Sequence, residues 1–547
     1  MAVTKKLPLV ALVVVIGSVA AVGQSANDEP DLAMYARIRD EGLSRSRIMD
    51  FAFELMDRIG ARLSGSPNLD RAVSWAIERL TKAGLENVRR DRWGEFGMQW
   101  SQRNTWVTLV EPDLANLEAT AAPWSPPTRG PVSGEVVYVR GFTDEKGFAP
   151  LRGTLRGKVV LLGRAPSPPE VTPIERPLFE RFTDEQLARL AQPAAAAAAT
   201  QPALHVALER MFSEAAFFEG VGRFFSEEGV RAVLRPTGNN AHGGLSGGVL
   251  ASDLNYSLGM RAYRKEHAMR VPVAVVSIEA FGRMTRLLEH NVPVRVTVNV
   301  ETEFTADHVD GVNVFGEIPG VDSTIGADVV MVGAHLDSWD VGTGATDDGA
   351  GAIIAMEALR ILRTLDVRPR RTIRIALWTG EEQGLLGSFA WVTREIAALP
   401  RLDTPAQQLL PPAARRAAGP PAPTPAHARL SAYYNLDQGG GKIRGVRLTG
   451  NVALAPIFER WFAPLKDLGV TLVSPRGGCA SDCAPFEEAG IPSPLFLQDP
   501  LDYASRTLHT TADTADHLIA DDLRQAAVVV ATVLYNTAQR DEGLPRK

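Results

Sequence analysis

The sequence has few cysteines and no long basic run. Only 2 of its 547 residues are cysteine, which excludes a small scaffold held together by disulfides. The formal net charge is -6, which argues against nucleic acid as a partner. With 45% hydrophobic and 22% charged residues, the composition is that of a globular protein with ample material for sizeable cores.

One apolar run approaches the length needed to span a membrane, and it lies at the N-terminus. Lys5 and Lys6 precede the apolar run Leu7–Val22, and small and polar residues follow it. This order is typical of a secretory signal peptide, so we assign residues 1–26 to a signal and expect a secreted or periplasmic protein. An uncleaved anchor is the alternative, because the run is close to the ~17-residue lower limit of a membrane span. We expect no stable membrane association after the signal is removed.

The two cysteines, Cys479 and Cys483, are close together in the chain. An exported protein meets oxidising conditions, in which such a pair can form a disulfide. Two free thiols are equally consistent with the sequence. A zinc site at these cysteines is disfavoured, since no second pair of Cys or His residues lies nearby.

The segment 329–382 has the pattern of strand, loop, helix, strand and loop. Val329–Gly333 and Ile373–Trp378 are apolar strands, and Ala352–Leu365 has the apolar spacing of a helix. This alternation predicts an α/β fold with a largely parallel sheet. In such sheets ligands bind at the carboxyl ends of the strands. One imidazole and several carboxylates follow these strands, namely His335, Asp337, Asp347, Asp348, Glu381 and Glu382.

Residues 131–304 have a different pattern, with short β-branched strands alternating with glycine turns. We interpret this stretch as a mostly β domain inserted into the chain. Residues 27–130 and 305–547 would then be the two parts of the α/β domain. Within the insertion, the alanine-rich segment 192–203 is expected to be helical.

The remaining candidate ligands follow later strands. The strand Leu430–Asn435 ends just before Asp437, and a later loop carries His509. Zinc takes imidazole and carboxylate ligands, and two zinc ions about 3.5–4 Å apart can hold a water between them. A site with one bridging carboxylate needs five ligands, and a further carboxylate must act as general base. The adjacent pair Glu381 and Glu382 can supply both a ligand and a base, because neighbouring side chains leave a strand in different directions.

Each of these features alone has an ordinary structural explanation. A histidine at a strand end is more often structural than a ligand, and a Glu-Glu pair is usually a solvated face or a helix start. Asp437 before glycines is typical of a turn, and His509 followed by Thr510 is typical of a cap. The combination and its order along the chain are what make the pattern specific.

Five segments together resemble the motifs of peptidase family M28, which contains dizinc aminopeptidases and carboxypeptidases. They are Gly333–Ser338, Gly344–Asp348, Trp378–Gly384, Asn435–Asp437 and His509–Thr514. The resemblance is closest to the carboxypeptidase Q (plasma glutamate carboxypeptidase) branch. It implies a mixed, largely parallel sheet flanked by helices, with residues 131–304 forming an inserted protease-associated-like domain.

The resemblance also implies five ligands for two Zn²⁺ per chain. Asp347 would bridge the two ions, His335 and Asp437 would complete one, and Glu382 and His509 would complete the other.

Two further residues are the catalytic side chains that the resemblance implies. Glu381 would be the general base, and Asp337 would orient His335 through its far ring nitrogen. Asp348 would follow Asp347 across a cis peptide bond. The chain departs from the family pattern at Cys483, which stands where many members have a histidine, so contacts to the substrate differ there.

The function implied is that of an exported zinc-dependent exopeptidase acting on dipeptides or short peptides. The partner is then a peptide substrate, and a homodimer is left open. Two alternatives keep the same fold. One is amide chemistry like that of glutaminyl cyclases, whose relatives hold one zinc. The other is a receptor-like binding protein without activity, for which we would expect ligand residues to be missing.

Overall fold

The computed structural model describes residues 29–141, 145–164, 179–193, 219–237, 261–408 and 410–547. The predicted signal and most of the alanine-rich segment lie outside these ranges. Within them, no helix combines the length and apolar character that crossing a membrane requires.

In the described part of the chain, 14 strands form one mixed sheet and two more form a separate two-stranded sheet. The order of the large sheet is β15-β14-β16-β13-β9-β10-β8-β4-β5-β6-β7-β3, and β1 and β2 pair beside β8. The strands are β1 Glu86–Glu111, β2 Ala115–Leu117, β3 Ala119–Ala121, β4 Val132–Val139, β5 Val159–Leu162, β6 Ala232–Pro236, β7 Val273–Val276, β8 Arg295–Ile318, β9 Val329–His335, β10 Thr372–Trp378, β11 Ala397–Ala398, β12 Ala422–Pro423, β13 Leu430–Asn435, β14 Ile443–Arg447, β15 Leu472–Ser474 and β16 Leu495–Gln498.

Helices cover the sheet on both faces. The α-helices are Leu32–Ser44, Ile48–Ala52, Pro67–Lys82, Asp184–Leu190, 219–228, Ile278–Glu289, Ala350–Thr364, Leu386–Glu395, Pro405–Gln408, Pro425–Arg429, Ala455–Phe462, Ala484–Glu488 and Ala520–Gln539. Short π-helical turns occur at Phe53–Ile59, Ala345–Gly349 and Tyr503–Thr507.

The centre of the sheet is the parallel trio β13, β9 and β10. β9 pairs in parallel with β10 on one side and with β13 on the other. β9 and β13 are buried along their whole length, and β10 is buried except at Arg374. Their sequences are therefore continuous apolar runs without a polar face. The carboxyl ends of all three strands meet at one edge, and the predicted fold class is confirmed.

Two long helices pack closely on one face of this trio. Ala350–Thr364 and Ala520–Gln539 bury most of their residues in the main apolar core. The helix Leu32–Ser44 approaches them at Gly42, where an added Cβ would lie 2.4 Å from Val528 Cγ2. A glycine is needed there because no larger side chain fits between the helices.

The N-terminal helices differ in part from the sequence pattern. The apolar spacing of 43–59 predicts one helix, but the chain forms Leu32–Ser44 and then a new helix from Ile48. The break lies where Ser46 Oγ and Arg47 N donate to Glu357 Oε1 at 2.8 and 3.0 Å. These bonds draw the chain toward the neighbouring helix, so a tertiary contact overrides the local helical pattern.

The inserted segment has more helix than its sequence pattern suggests. In its described part, β4, β5, β6 and β7 are parallel neighbours, with helices at 219–228 and Ile278–Glu289. Parallel strands need crossover connections, and the helix 219–228 lies in the connection from β5 to β6. The long antiparallel ladder of β1 and β8 links these strands to the central trio. β8 passes through position 304 without a break, so the domain boundary there remains a prediction.

Candidate metal centre

The predicted metal-site residues lie together at the carboxyl edge of the central trio. His335 is the last residue of β9, and Asp437 follows β13 by two residues. Glu382 follows β10, Asp347 lies in the turn before the helix Ala350–Thr364, and His509 comes from the loop after β16. Sheet topology therefore gathers side chains that are up to 174 positions apart in the sequence, as the difference between 509 and 335 gives.

These five side chains form two groups that share one carboxylate. His335, Asp347 and Asp437, the first ligand group, have one ligand atom each within 4.8 Å of one another. Asp347, Glu382 and His509, the second ligand group, meet the same criterion.

The two oxygens of Asp347 face different histidines. Its Oδ1 lies 3.4 Å from His335 Nε2, and its Oδ2 lies 3.0 Å from His509 Nε2. Asp437 Oδ1 is 3.9 Å from His335 Nε2, and Glu382 Oε2 is 3.2 Å from His509 Nε2. A carboxylate in this position can contribute one oxygen to each of two ions.

The tautomer of His335 follows from its second ring nitrogen. Nδ1 lies 2.9 Å from the main-chain carbonyl of Asp337, which can only accept, so Nδ1 carries the proton. Nε2 faces the two carboxylates of the first ligand group and can offer its lone pair to a cation bound between them. The carboxylate of Asp337 is farther away, with Oδ1 3.6 Å from Nδ1. Its main-chain carbonyl therefore makes the shorter contact with the imidazole.

The Asp337 carboxylate instead organises the loop after β10. It accepts from Ser64 Oγ at 2.9 Å and from the main-chain N–H groups of Glu381 and Glu382 at 3.4 Å each. Gly380 N donates to the same Ser64 hydroxyl at 3.1 Å. Asp337 thus links the end of β9 to the segment that carries both glutamates, which is a positioning contact that the sequence pattern did not reveal.

Glu381 stands beside the site without joining either ligand group among the described residues. Burial raises the pKa of its carboxyl well above the usual range, and the negative charge of Asp437 adds to the rise. A carboxyl with a raised pKa can accept and hold a proton near neutral pH. Burial would lower the pKa of His335, but Glu381 and the neighbouring carboxylates raise it well above its usual value.

Asp513 fixes the turn that carries Asp347 through three hydrogen bonds. The Asp513 carboxylate accepts from the main-chain N–H and the hydroxyl of Thr346, both at 2.7 Å, and from Asp347 N at 3.2 Å. The peptide bond between Asp347 and Asp348 is cis, and Asp348 Oδ2 accepts from His335 N at 3.1 Å. Asp513 and Asp348 therefore both accept hydrogen bonds from main-chain N–H groups. These bonds hold His335 and Asp347 in place.

Three residues near the site were not singled out by the sequence pattern. Tyr503 donates its hydroxyl to Asp347 Oδ1 at 3.1 Å. Trp339 meets the His509 ring edge-on, with 6.0 Å between the ring centroids. Arg62 is fully buried, although it lies in a loop. Nothing in the local sequence of these three residues indicates a contact with the site.

Cys479 and Cys483 are joined by a disulfide in the structure. The loop between them contacts the site through Ser481, whose Oγ accepts from Asn435 Nδ2 at 3.1 Å. Asn435 is the last residue of β13, two residues before Asp437. Asp482 is buried beside this contact, and burial raises its pKa to about 7. The cysteine-bearing loop thus lies against the first ligand group.

The donor set fits zinc. It consists of imidazole nitrogens and carboxylate oxygens, the ligands typical of catalytic zinc. The buried Oε1 of Glu382 has no hydrogen-bond partner among the described residues. Such an oxygen is costly to bury unless a cation or a donor meets it. Burial and the negative charge of Asp347 raise the pKa of Glu382 to about 7.

Comparisons with known proteins agree with this geometry. The model for peptidase family M28 matches residues 313–534. Carboxypeptidase Q of Homo sapiens is 27% identical over 531 residues, covering 96% of this chain and 92% of that protein.

Solved structures share the fold. The chain is similar to a peptidase M28 precursor from Shewanella amazonensis SB2B, with a TM-score of 0.59, 21% identity and coverage of 95% and 99% of the two chains. It is also similar to BSAP, a zinc aminopeptidase from Bacillus subtilis, with a TM-score of 0.50, 18% identity and coverage of 90% and 95%. The segment 313–534, which the model for peptidase family M28 matches, supplies all five candidate ligands at the sheet edge, and the predicted resemblance to that family is confirmed.

Proposed function

We propose that this chain is a zinc-dependent exopeptidase that hydrolyses peptide bonds of dipeptides or short peptides at a site for two Zn²⁺. The observation that carries the proposal is the position of Asp347, whose two oxygens face His335 and His509 at 3.4 and 3.0 Å. Bound zinc would lower the pKa of a shared water and polarise the substrate carbonyl. His335 and Asp437 would hold one ion, and Glu382 and His509 would hold the other.

In the proposed reaction, Glu381 is the group that moves the proton. Its carboxylate accepts a proton from the attacking water and returns it to the nitrogen of the leaving amine. Its neighbour Glu382 cannot take this role, because its carboxylate is engaged with His509 at 3.2 Å. Asp337 acts as a positioning residue, since it binds the main-chain N–H groups of both glutamates.

We infer that the chain is exported and that residues 131–304 form a protease-associated-like insertion. The signal pattern of residues 1–26 and the disulfide between Cys479 and Cys483 support export. Support for the insertion comes from a second apolar core, in which β4, β5, β6 and β7 pack against the helix 219–228.

One substrate panel tests the proposed function. Free dipeptides, amino-blocked peptides and carboxyl-amidated peptides are incubated with the protein, with and without a chelator. We expect cleavage of at least one class and its loss on chelation, restored by added zinc. Loss of cleavage on blocking the amine identifies an aminopeptidase or dipeptidase, and cleavage of amino-blocked peptides identifies a carboxypeptidase. Turnover that persists in the chelator contradicts the proposal.

A further inference from the structure

Arg62 is a charged side chain buried in an unusual way. It is 0% exposed and lies in the loop between Phe53–Ile59 and Pro67–Lys82. Its guanidinium makes no ion pair among the described residues and donates instead to main-chain carbonyls. The acceptors are Leu336 O at 2.7 Å, Thr343 O at 2.7 Å, Gly344 O at 2.8 Å and Gly60 O at 3.2 Å. Burying a charge without an ion partner is costly, so we infer that the guanidinium has a specific role at this position.

Three of the four acceptors, all but Gly60 O, belong to the two segments that carry ligands of the first ligand group. Leu336 directly follows His335, and Thr343 and Gly344 begin the turn that leads to Asp347. Arg62 therefore connects the end of β9 to the Asp347 turn. Its main chain reinforces the link, because Arg62 N donates to Ser338 Oγ at 3.0 Å and Ser338 N donates to Arg62 O at 3.2 Å.

Glycines at two neighbouring positions leave just enough space for the guanidinium of Arg62. Gly344 has a φ of +59°, and an added Cβ there would lie 2.8 Å from Arg62 Nη2 and 2.5 Å from Ser338 Oγ. A Cβ at Gly349 would lie 3.2 Å from the same Nη2. Only glycine at position 344 lets the turn approach the guanidinium so closely, since that φ and that space both disfavour a side chain.

The guanidinium keeps its charge in this position. Burial lowers the pKa of Arg62 to about 10, with Asp513 and Asp337 opposing the change, so the group is a cation at neutral pH. Lysine would carry the same charge, but as a compact ammonium without the planar fork of donors. The comparison between arginine and lysine therefore separates the effect of the fork from the effect of the charge.

We propose that Arg62 is a positioning residue for the metal centre, whose planar fork fixes the end of β9 against the Asp347 turn and so sets the spacing of His335 and Asp347. The inference rests on the proposed zinc site. It assigns to residue 62 a role in metal affinity, which a residue that serves folding alone would not have.

The test compares Arg62→Lys with Arg371→Lys. Arg371 is a matched control, because it is 2% exposed and donates to the carbonyls of Arg540 and Asp541 at 2.5 and 3.0 Å. It precedes β10, at the end of the strand opposite to Glu381. Zinc affinity is measured by competition with a chromophoric chelator for the wild-type protein and both variants, together with Tm of the metal-free proteins and kcat and KM on a dipeptide.

We expect both variants to lower Tm, but only Arg62→Lys to lose zinc affinity, by about 10-fold or more, as when a group that orients a ligand is removed. Its kcat should fall at saturating zinc with KM little changed. Zinc affinity within twofold of wild type in Arg62→Lys overturns the inference, as does an equal loss in Arg371→Lys.

A folding defect would still be informative. If metal-free Arg62→Lys does not fold, saturating zinc is added and folding is followed by circular dichroism. Recovery of the fold supports the inference, because metal then supplies the connection that the fork made, and failure to recover overturns it. Wild-type protein that binds no zinc overturns the proposed function and the inference together, whereas an equal affinity of wild type and Arg62→Lys overturns the inference alone.

Discussion

The two ligand groups differ in the part of the fold that carries the histidine. His335 and Asp437 of the first ligand group lie at or just beyond the ends of central parallel strands, and the His335 side chain is 1% exposed. His509 of the second ligand group comes from a loop, and its side chain is 22% exposed. Side chains on strands are positioned by the whole sheet, whereas a loop depends on its own few contacts. We therefore expect the first ligand group to be rigid and the second to bind metal more weakly.

Asp347 belongs to both groups, so its replacement tests whether they form one centre. Asp347→Asn keeps the size of the side chain but removes the charge that both ions would share. We expect both zinc ions and all measurable turnover to be lost, measured by elemental analysis and by dipeptide hydrolysis. In Asp437→Asn, the control within the first ligand group, only one zinc should be lost. Two zinc ions retained in Asp347→Asn would contradict the bridging position.

Replacing the adjacent glutamates one at a time separates proton transfer from metal binding. Glu381→Gln should keep both zinc ions and lower kcat by about 10²–10⁴-fold, because the proton acceptor is removed. Glu382→Gln should lose the zinc of the second ligand group and regain activity in part with excess zinc. Zinc content and kcat are measured on the same preparations. Wild-type-like turnover in Glu381→Gln would refute its assignment as general base.

The difference between the groups also predicts the order of metal loss. A zinc-loaded sample titrated with a chelator should release one ion well before the other, because the loop that carries His509 can move away from the site. His509→Gln should lack the early phase and keep the late one, whereas His335→Gln should lose the late one. Simultaneous release of both ions from the wild-type protein would show that the two groups are equally anchored.

The sequence was sufficient to predict the central strands and the polar residues that follow them. Apolar runs such as Leu430–Asn435 have strand bounds that match the structure, because a strand buried on both faces leaves a continuous apolar pattern. The residues that follow these strands are polar and therefore stand out. Asp437 and His335 lie together because β13 and β9 pair in parallel, a proximity that the resemblance to family M28 implied.

The contacts that hold these ligands could not be predicted in the same way. Arg62 lies 273 positions before His335, as the difference between 335 and 62 gives, and only tertiary packing buries it. Tyr503 and Asp513 act through side chains whose direction depends on the path of a loop. The helix Ile278–Glu289 of the insertion was missed for a similar reason, because the strand pattern of β4 to β7 does not reveal whether neighbours are parallel.

The pH dependence of Tm tests the effect of the buried carboxyl groups on the stability of the metal-free protein, and the expected effect is smaller than those above. The folded pKa of Glu382 and that of Asp482 are both about 7, raised mainly by burial, whereas the unfolded values are about 4.3 and 3.9. A carboxyl with a raised folded pKa stabilises the fold fully below its unfolded pKa, and this contribution is lost as the pH rises to about 7. The metal-free protein should therefore have a lower Tm at pH 7.5 than at pH 5.

Zinc should reverse this dependence, because it binds the deprotonated ligands and gains affinity as the pH rises. Calorimetry at a series of pH values, with chelator or with zinc, checks both trends. Asp347 is the exception within the site, since burial would raise its pKa but His335 and His509 lower it. A metal-free Tm that rises from pH 5 to pH 7.5 would mean that the imidazoles already neutralise the other carboxylates, and that the two groups need no metal to balance their charge.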